Sequence, residues 1–208
     1  MDAGYKVCQK DTVFEFTEKK SRFITYLACV DNEADAKAFI DSVRQKHRDA
    51  THNCIAYRLR EPRIERFSDD GEPAGTAGMP MLEVMKKEDV FDVCCVVTRY
   101  FGGILLGGGG LIRAYSRGVS GALSQSGFAN RLASVSFTLT YGYSNHNSLL
   151  KLLENTTHNL ISEQFSDKVS ITLSLISSDA HAFVQKVRDI MCGDVEISEY
   201  TLGFDSFN

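Results

Sequence analysis

The 208-residue chain has no tryptophan and only three prolines, Pro62, Pro73 and Pro80. No apolar run approaches the roughly 20 residues that a membrane-crossing helix needs. The start, residues 1–10, is polar and lacks the apolar stretch of a secretory signal. Both features point to a cytoplasmic protein without a membrane partner. The six cysteines, at 8, 29, 54, 94, 95 and 192, form no CxxC pair and have no Cys/His spacing of a structural zinc site. Reduced, mostly buried thiols are therefore expected. A strong charge bias is also missing. The net charge is −4, which excludes a generally basic nucleic-acid binder. Residues 1–130 carry 18 Lys/Arg and 18 Asp/Glu, and residues 131–208 carry 5 and 9, so the second part holds the whole excess. An anion-binding surface would be a local patch in the first part.

With 43% hydrophobic and 24% charged residues, the chain has the composition of a globular α+β protein. Charge density falls and Ser/Thr content rises near residues 127–132, which suggests domains over 1–130 and 131–208. In the second, Val135, Phe137, Leu139, Tyr141 and Tyr143 alternate with polar residues, the period of a half-buried strand. A helix around Leu149–Leu153, a strand over 160–165, an alternating strand from Val169, a helix capped by Ser178 and ended by Gly193, and a strand over 195–197 follow. The order is the β-α-β-β-α-β ferredoxin-like pattern. One sheet face would carry both helices, the other a Ser/Thr-rich surface.

In the first domain, strands are expected at Phe14–Phe16, Phe23–Val30, Asn53–Leu59 and Val93–Val97. Val93–Val97 is apolar throughout, as in a strand buried on both faces. Helices are expected after Asp31, after Thr76 and after the glycine cluster, with Arg66–Pro73 as a polar loop.

Six of the nine residues from 102 to 110 are glycine, between the buried strand and a helix. Such a turn suits phosphate, because it presents free N–H groups at the positive end of a helix. It serves tight packing equally well. Arg99 and Arg113 flank it, and Gly102, Gly103, Gly107 and Gly110 shape it. No Gly-Lys-Ser/Thr follows, so it is not a Walker loop. Asp69, Asp70 and Glu72 put three carboxylates within four residues, which suits a divalent cation or proton transfer as well as a solvated turn. Lys19, Lys20 and Arg22 form a basic hairpin tip able to touch phosphates. His52 and Cys54 would project side by side as a conceivable nucleophile pair, without a third orienting group.

Several of these segments resemble the IMPACT/YigZ family. They are Lys20-Ser21-Arg22-Phe23, Thr51-His52-Asn53-Cys54, Ser68 through Gly78, and Thr98-Arg99-Tyr100-Phe101-Gly102-Gly103 on through Gly107 and Gly110 to Tyr115. The resemblance implies a first domain similar to domain 2 of ribosomal protein five. It implies a second, ferredoxin-like domain similar to the C-terminal domain of elongation factor G. It further implies a translation-associated regulator that binds RNA or the ribosome. Eukaryotic members regulate translation by competing for a kinase activator, so a protein partner is a second possibility. No cofactor and no catalytic residue come with the family. In the leading reading Lys19, Lys20, Arg22, Arg99 and Arg113 meet phosphates while Tyr100 and Phe101 stack on bases or pack. The alternatives are an enzyme holding a phosphorylated small molecule with Mg²⁺ at Asp69, Asp70 and Glu72, and a protein-interaction regulator. All readings expect the 69–73 loop to lie close to the 99–113 turn.

Overall fold

The computed structural model describes residues 4–207. Elements of the first part are β1 (Tyr5–Cys8), β2 (Thr12–Glu18), β3 (Ser21–Cys29), α1 (Glu33–Lys46), β4 (His52–Leu59), β5 (Ile64–Ser68), α2 (Gly78–Lys87), β6 (Val90–Phe91), β7 (Val93–Tyr100) and α3 (Gly108–Ser126). Those of the second are β8 (Phe128–Tyr141), α4 (His146–Leu153), β9 (His158–Phe165), β10 (Val169–Ile176), α5 (Ser177–Ile190) and β11 (Val195–Asp205). The chain divides into two compact units after Ala129.

In the first unit an antiparallel sheet runs β2-β3-β7-β4-β5. The apolar run of β7 makes it the central strand. Val93, Cys95 and Val97 pack with Met81 and Met85 of α2 and Leu111, Tyr115 and Val119 of α3. Cys94 and Val96 point the other way, to Ala36, Ile40 and Val43 of α1. Helices on both faces explain why this strand lacks the polar alternation of its neighbours. Helix α1 is capped by Asn32, whose side chain accepts from the Asp35 N–H at 2.9 Å. Three strands escape the sequence pattern. β1 and β6 are four and two residues long and pair in parallel. β5 is a half-buried edge strand that takes up Arg66–Ser68 of the expected polar loop.

The tip joining β2 to β3 is a two-residue turn. Glu18 pairs with Ser21, and both intervening lysines have positive φ, 44° at Lys19 and 65° at Lys20. This is the primed hairpin geometry that glycine and asparagine normally supply.

The second unit has strand order β11-β8-β10-β9, all antiparallel. Leu149 and Leu153 of α4 and Phe183 and Val187 of α5 pack on Phe137, Leu139, Ile171 and Leu173. The opposite face carries paired hydroxyls, Thr138 with Thr172 at 2.9 Å and Thr140 with Ser170 at 3.1 Å. Two strands run longer than the alternation implies: β8 begins at Phe128 and β11 continues to Asp205. Tyr143 falls in a 3-10 turn beyond β8. Ser178 lies inside the first turn of α5, bonded to Asp179, and does not cap it.

Positive φ disfavours a side chain by about 1–2 kcal/mol. Lys20→Gly is therefore expected to stabilise the first unit by about 0.5–1 kcal/mol after the entropy cost of glycine. Thermal denaturation followed by circular dichroism checks this; a lower melting temperature contradicts it.

Candidate functional site

Arg99 is the last buried residue of β7, one before its end at Tyr100, and only 5% of it is exposed. A guanidinium taken out of water needs a counter-charge and hydrogen bonds. Glu72 supplies the charge, with Oε1 at 2.6 Å from an Arg99 terminal nitrogen. The Tyr115 hydroxyl, from α3, donates to the same oxygen at 2.7 Å. Burial foremost, together with the neighbouring Cys54 and Glu72, pushes the Tyr115 phenol well up, so it stays protonated as a donor. One carboxylate oxygen thus ties the acidic loop to β7 and to α3. The 69–73 loop and the 99–113 turn adjoin.

The other two loop carboxylates are structural. Asp69 accepts the Gly75 N–H on one oxygen at 2.8 Å, and those of Ala77 and Gly78 on the other at 3.0 and 2.8 Å. Ala77 gives α2 no side-chain cap, and Asp69 provides an anionic one from nine residues upstream of Gly78. Asp70, at φ 44°, accepts the Asn53 N–H at 2.7 Å and sits 3.6 Å from Arg44. The three carboxylates therefore point to three separate partners. Among the described residues no group of three or more His, Cys, Asp or Glu is arranged to hold a metal ion. The expected divalent-cation site at Asp69, Asp70 and Glu72 gives way to a fixed turn.

The His52–Cys54 nucleophile is overturned as well. The Cys54 thiol is buried and donates to the Asp69 carbonyl at 3.0 Å, and burial pushes its pKa up to about 12. It is no thiolate at neutral pH. His52 is held by its Nδ1, 2.8 Å from the Asp70 carbonyl. A carbonyl only accepts, so Nδ1 carries the proton. Nε2 then faces Glu72 Oε2 at 3.8 Å, too far for a hydrogen bond.

The glycine segment does several jobs. A β-carbon on Gly102 would lie 2.0 Å from the Lys20 carbonyl carbon, so this residue lets the turn pack directly on the hairpin tip. Ser21, fully buried, seals the junction by accepting the Gly102 N–H at 3.2 Å. Gly103 and Gly107 have positive φ, and Gly107 precedes α3. Gly108, Gly109 and Gly110 are the first turn of α3 itself, one turn earlier than the first apolar residue, Leu111, implies. That helix end has no side-chain cap and no acidic residue in its first turn.

The basic and aromatic candidates separate. Arg99 is spent on Glu72 and is not presented to solvent. Arg22 is exposed but held two-pronged by Glu15 at 2.7 and 2.9 Å. Lys19, Lys20 and Arg113 are solvent-facing, and none has an ion pair among the described residues. Lys19, Arg113 and Arg117 line a groove of about 210 Å³ with Glu18, Leu106 and Gly110; Arg117 lies 3.8 Å from Glu18. A second cavity of about 370 Å³ opens on the far side of Leu106, between His52, Glu72, Phe101 and Gly108. Phe101 is 45% exposed and sits at its mouth. Tyr100 is tethered by its hydroxyl. Its hydroxyl donates to Asp49 at 3.2 Å and receives from His47 Nδ1 at 2.8 Å, while Tyr26 donates to His47 Nε2 at 2.7 Å.

The family model for the Impact N-terminal domain matches residues 19–123, the segment that holds most of these contacts, including the Arg99–Glu72 pair. The chain belongs to the IMPACT family. It is 39% identical to IMPACT family member YvyE of Bacillus subtilis, over 91% of this chain and 88% of that one. It is 40% identical to IMPACT family member YigZ of Escherichia coli, over 86% and 89%. A crystal structure of a hypothetical protein is similar to this IMPACT family chain with a TM-score of 0.67 and 36% identity, covering 95% of this chain and 97% of the other.

The sequence reading treats Arg99 and Glu72 as separate surface charges and misses the pairing. The signal lies in β7, where Arg99 follows six residues that are all buried and has to find a buried anion. Glu72→Ala leaves that arginine uncompensated and is expected to cost about 3–5 kcal/mol. A joint Glu72→Met/Arg99→Met variant is expected to recover most of this loss in urea unfolding. A double variant no more stable than Glu72→Ala would contradict the assignment.

Burial foremost, and then Lys46, lowers the His47 pKa from its ordinary value near 6.5. The native state therefore favours the neutral ring. Its contribution is fully present above the unfolded pKa and is lost as pH falls towards the folded one. Stability is expected to drop between pH 7 and 5, less steeply in His47→Gln; parallel slopes in urea titrations would refute this.

Proposed function

We propose that this protein is a translation-associated, cytoplasmic regulator that binds the phosphates of RNA, free or in the ribosome, and is not an enzyme. The observation that carries the reading is the placement of Lys19 and Lys20. A two-residue turn, seated on the backbone at Gly102, holds two ammonium groups, without an ion pair among the described residues, beside the groove that Arg113, Arg117 and Glu18 line. The first turn of α3 adds N–H groups and the positive end of a helix dipole, with no acid to satisfy them. Phosphate is the chemistry common to both features. The near-neutral first unit supports a small footprint and local contacts only.

Fold likeness supports the same reading. The β11-β8-β10-β9 order and the β-α-β-β-α-β succession of the second unit are those of a ferredoxin-like domain, as in the C-terminal domain of elongation factor G. We take the first unit as similar to domain 2 of ribosomal protein five. The Mg²⁺-dependent enzyme loses its support with the engagement of Asp69, Asp70 and Glu72 in internal contacts.

The test is filter binding to single-stranded RNA and co-sedimentation with ribosomes across a salt series. Each phosphate contact on a single strand contributes about 0.7 to the log–log salt slope. Lys19→Ala/Lys20→Ala/Arg113→Ala is expected to reduce the slope by about 2. Arg22→Ala, already bound to Glu15, is expected to change it little. No binding of wild type to either partner at low salt, or an unchanged slope in the triple variant, would overturn the reading.

A further inference from the structure

The groove accounts for Lys19, Arg113 and Arg117 but leaves the 370 Å³ cavity behind Leu106 unused. That volume is near the lower end of the about 300–1,000 Å³ typical of small-molecule clefts. Its polar groups are fixed before anything enters. Glu72 spends Oε1 on Arg99 and Tyr115, while Oε2 accepts no hydrogen bond. His52, anchored through Nδ1, turns the lone pair of Nε2 inward. Two acceptors 3.8 Å apart thus face one another with no donor between them. Arg99 and Glu72 cancel, so this ion pair adds no net formal charge to the cavity.

The entrance is apolar and unusually open. Phe101, just before the loop bounded by Gly103 and Gly107, is 45% exposed, and Leu105 on that loop is 80% exposed; both line the cavity. The Thr51 hydroxyl accepts the Phe101 N–H at 3.0 Å and holds that ring's backbone in place. The required ligand therefore has a neutral body with N–H donors on one edge and a flat apolar face. A negative charge attached to it would fall towards the neighbouring basic groove, across the wall formed by Leu106.

We propose that the cavity receives one nucleobase, extruded from single-stranded RNA, with its amino edge on Glu72 Oε2 and His52 Nε2 and its face against Phe101. This rests on the RNA reading above and adds base recognition to it. Splayed bases stacked on an aromatic side chain and read along the Watson–Crick edge are a recurring mode of single-strand recognition. Cytosine, adenine and guanine carry the exocyclic amino group that the two acceptors ask for; uracil does not.

The experiment compares octamers of cytidine, of uridine and of abasic ribose phosphate, by fluorescence anisotropy at fixed salt and across a salt series. Wild type is expected to bind the cytidine octamer at least about fivefold more tightly than the abasic one, the lower bound for a stacked base. It is expected to prefer cytidine to uridine. Phe101→Ala, at an exposed position, is expected to lose the base-dependent gain and keep the salt slope. Lys19→Ala/Lys20→Ala is expected to do the reverse. Equal binding of cytidine and abasic octamers, or an unaffected Phe101→Ala, would overturn the base site while leaving the phosphate reading intact. Equal binding of cytidine and uridine would overturn the Glu72–His52 edge. No binding of any octamer would overturn both readings.

Discussion

A buried charge pair organises the first unit. Arg99 and Glu72 meet at 2.6 Å with almost no exposed surface, and Tyr115 completes the carboxylate oxygen. Removing two ions from water is costly, and a hydrophobic pair of similar volume is often at least as stabilising. The pair therefore explains specificity of arrangement better than it explains stability. It requires the acidic loop, the end of β7 and the middle of α3 to converge at one place. The remaining Oε2, left without a hydrogen bond, faces His52 because Oε1 is already committed.

Around that pair, backbone does the work that side chains do elsewhere. Asp69 gathers three N–H groups, from Gly75, Ala77 and Gly78, and so sets both the loop and the start of α2. Gly102 has no room for a β-carbon against Lys20, which locks the glycine turn to the hairpin tip. Ser21, buried between Gly102 and Arg99, connects this junction to the charge pair. The lysines at the tip hold a strained turn because the strands on either side are in register through Glu18 and Ser21.

Much of this order is legible in the residues themselves. The unbroken apolar run Val93–Val97 already implies a strand covered on both faces, and helices cover both. The period-two alternation of Val135–Tyr141 and Val169–Leu175 implies one helix-covered face and one hydroxyl-rich face, and both are present. What escapes is what depends on distance along the chain. β1 and β6 are too short to show a period, and they find each other across more than eighty residues. Nothing local to Asp69 marks it as a cap for a helix that starts at Gly78. Arg99 reads as a surface cation until the burial of the strand leading to it is taken seriously. Glycines at 108–110 read as loop, because propensity places them there; the packing of Leu111 and Tyr115 makes them helix instead.

The two openings on either side of Leu106 differ in charge for a single reason. Behind it, Glu72 neutralises Arg99, so the ion pair that walls the cavity adds no net charge. In front of it, Lys19 and Arg113 form no ion pair among the described residues, and Glu18, which shares the groove, lies 3.8 Å from Arg117. A cation near the surface is weakly penalised and free to meet an outside anion; a buried one has to be satisfied from within. The same residue type therefore plays opposite parts at positions 99 and 113. Separation of a neutral, hydrogen-bonding recess from an adjacent cationic groove matches the division within a nucleotide between its base and its phosphate. A purely basic patch would hold the phosphate alone, and an isolated recess would bind a neutral body too weakly to retain it. Joined through one leucine, each supplies what the other lacks.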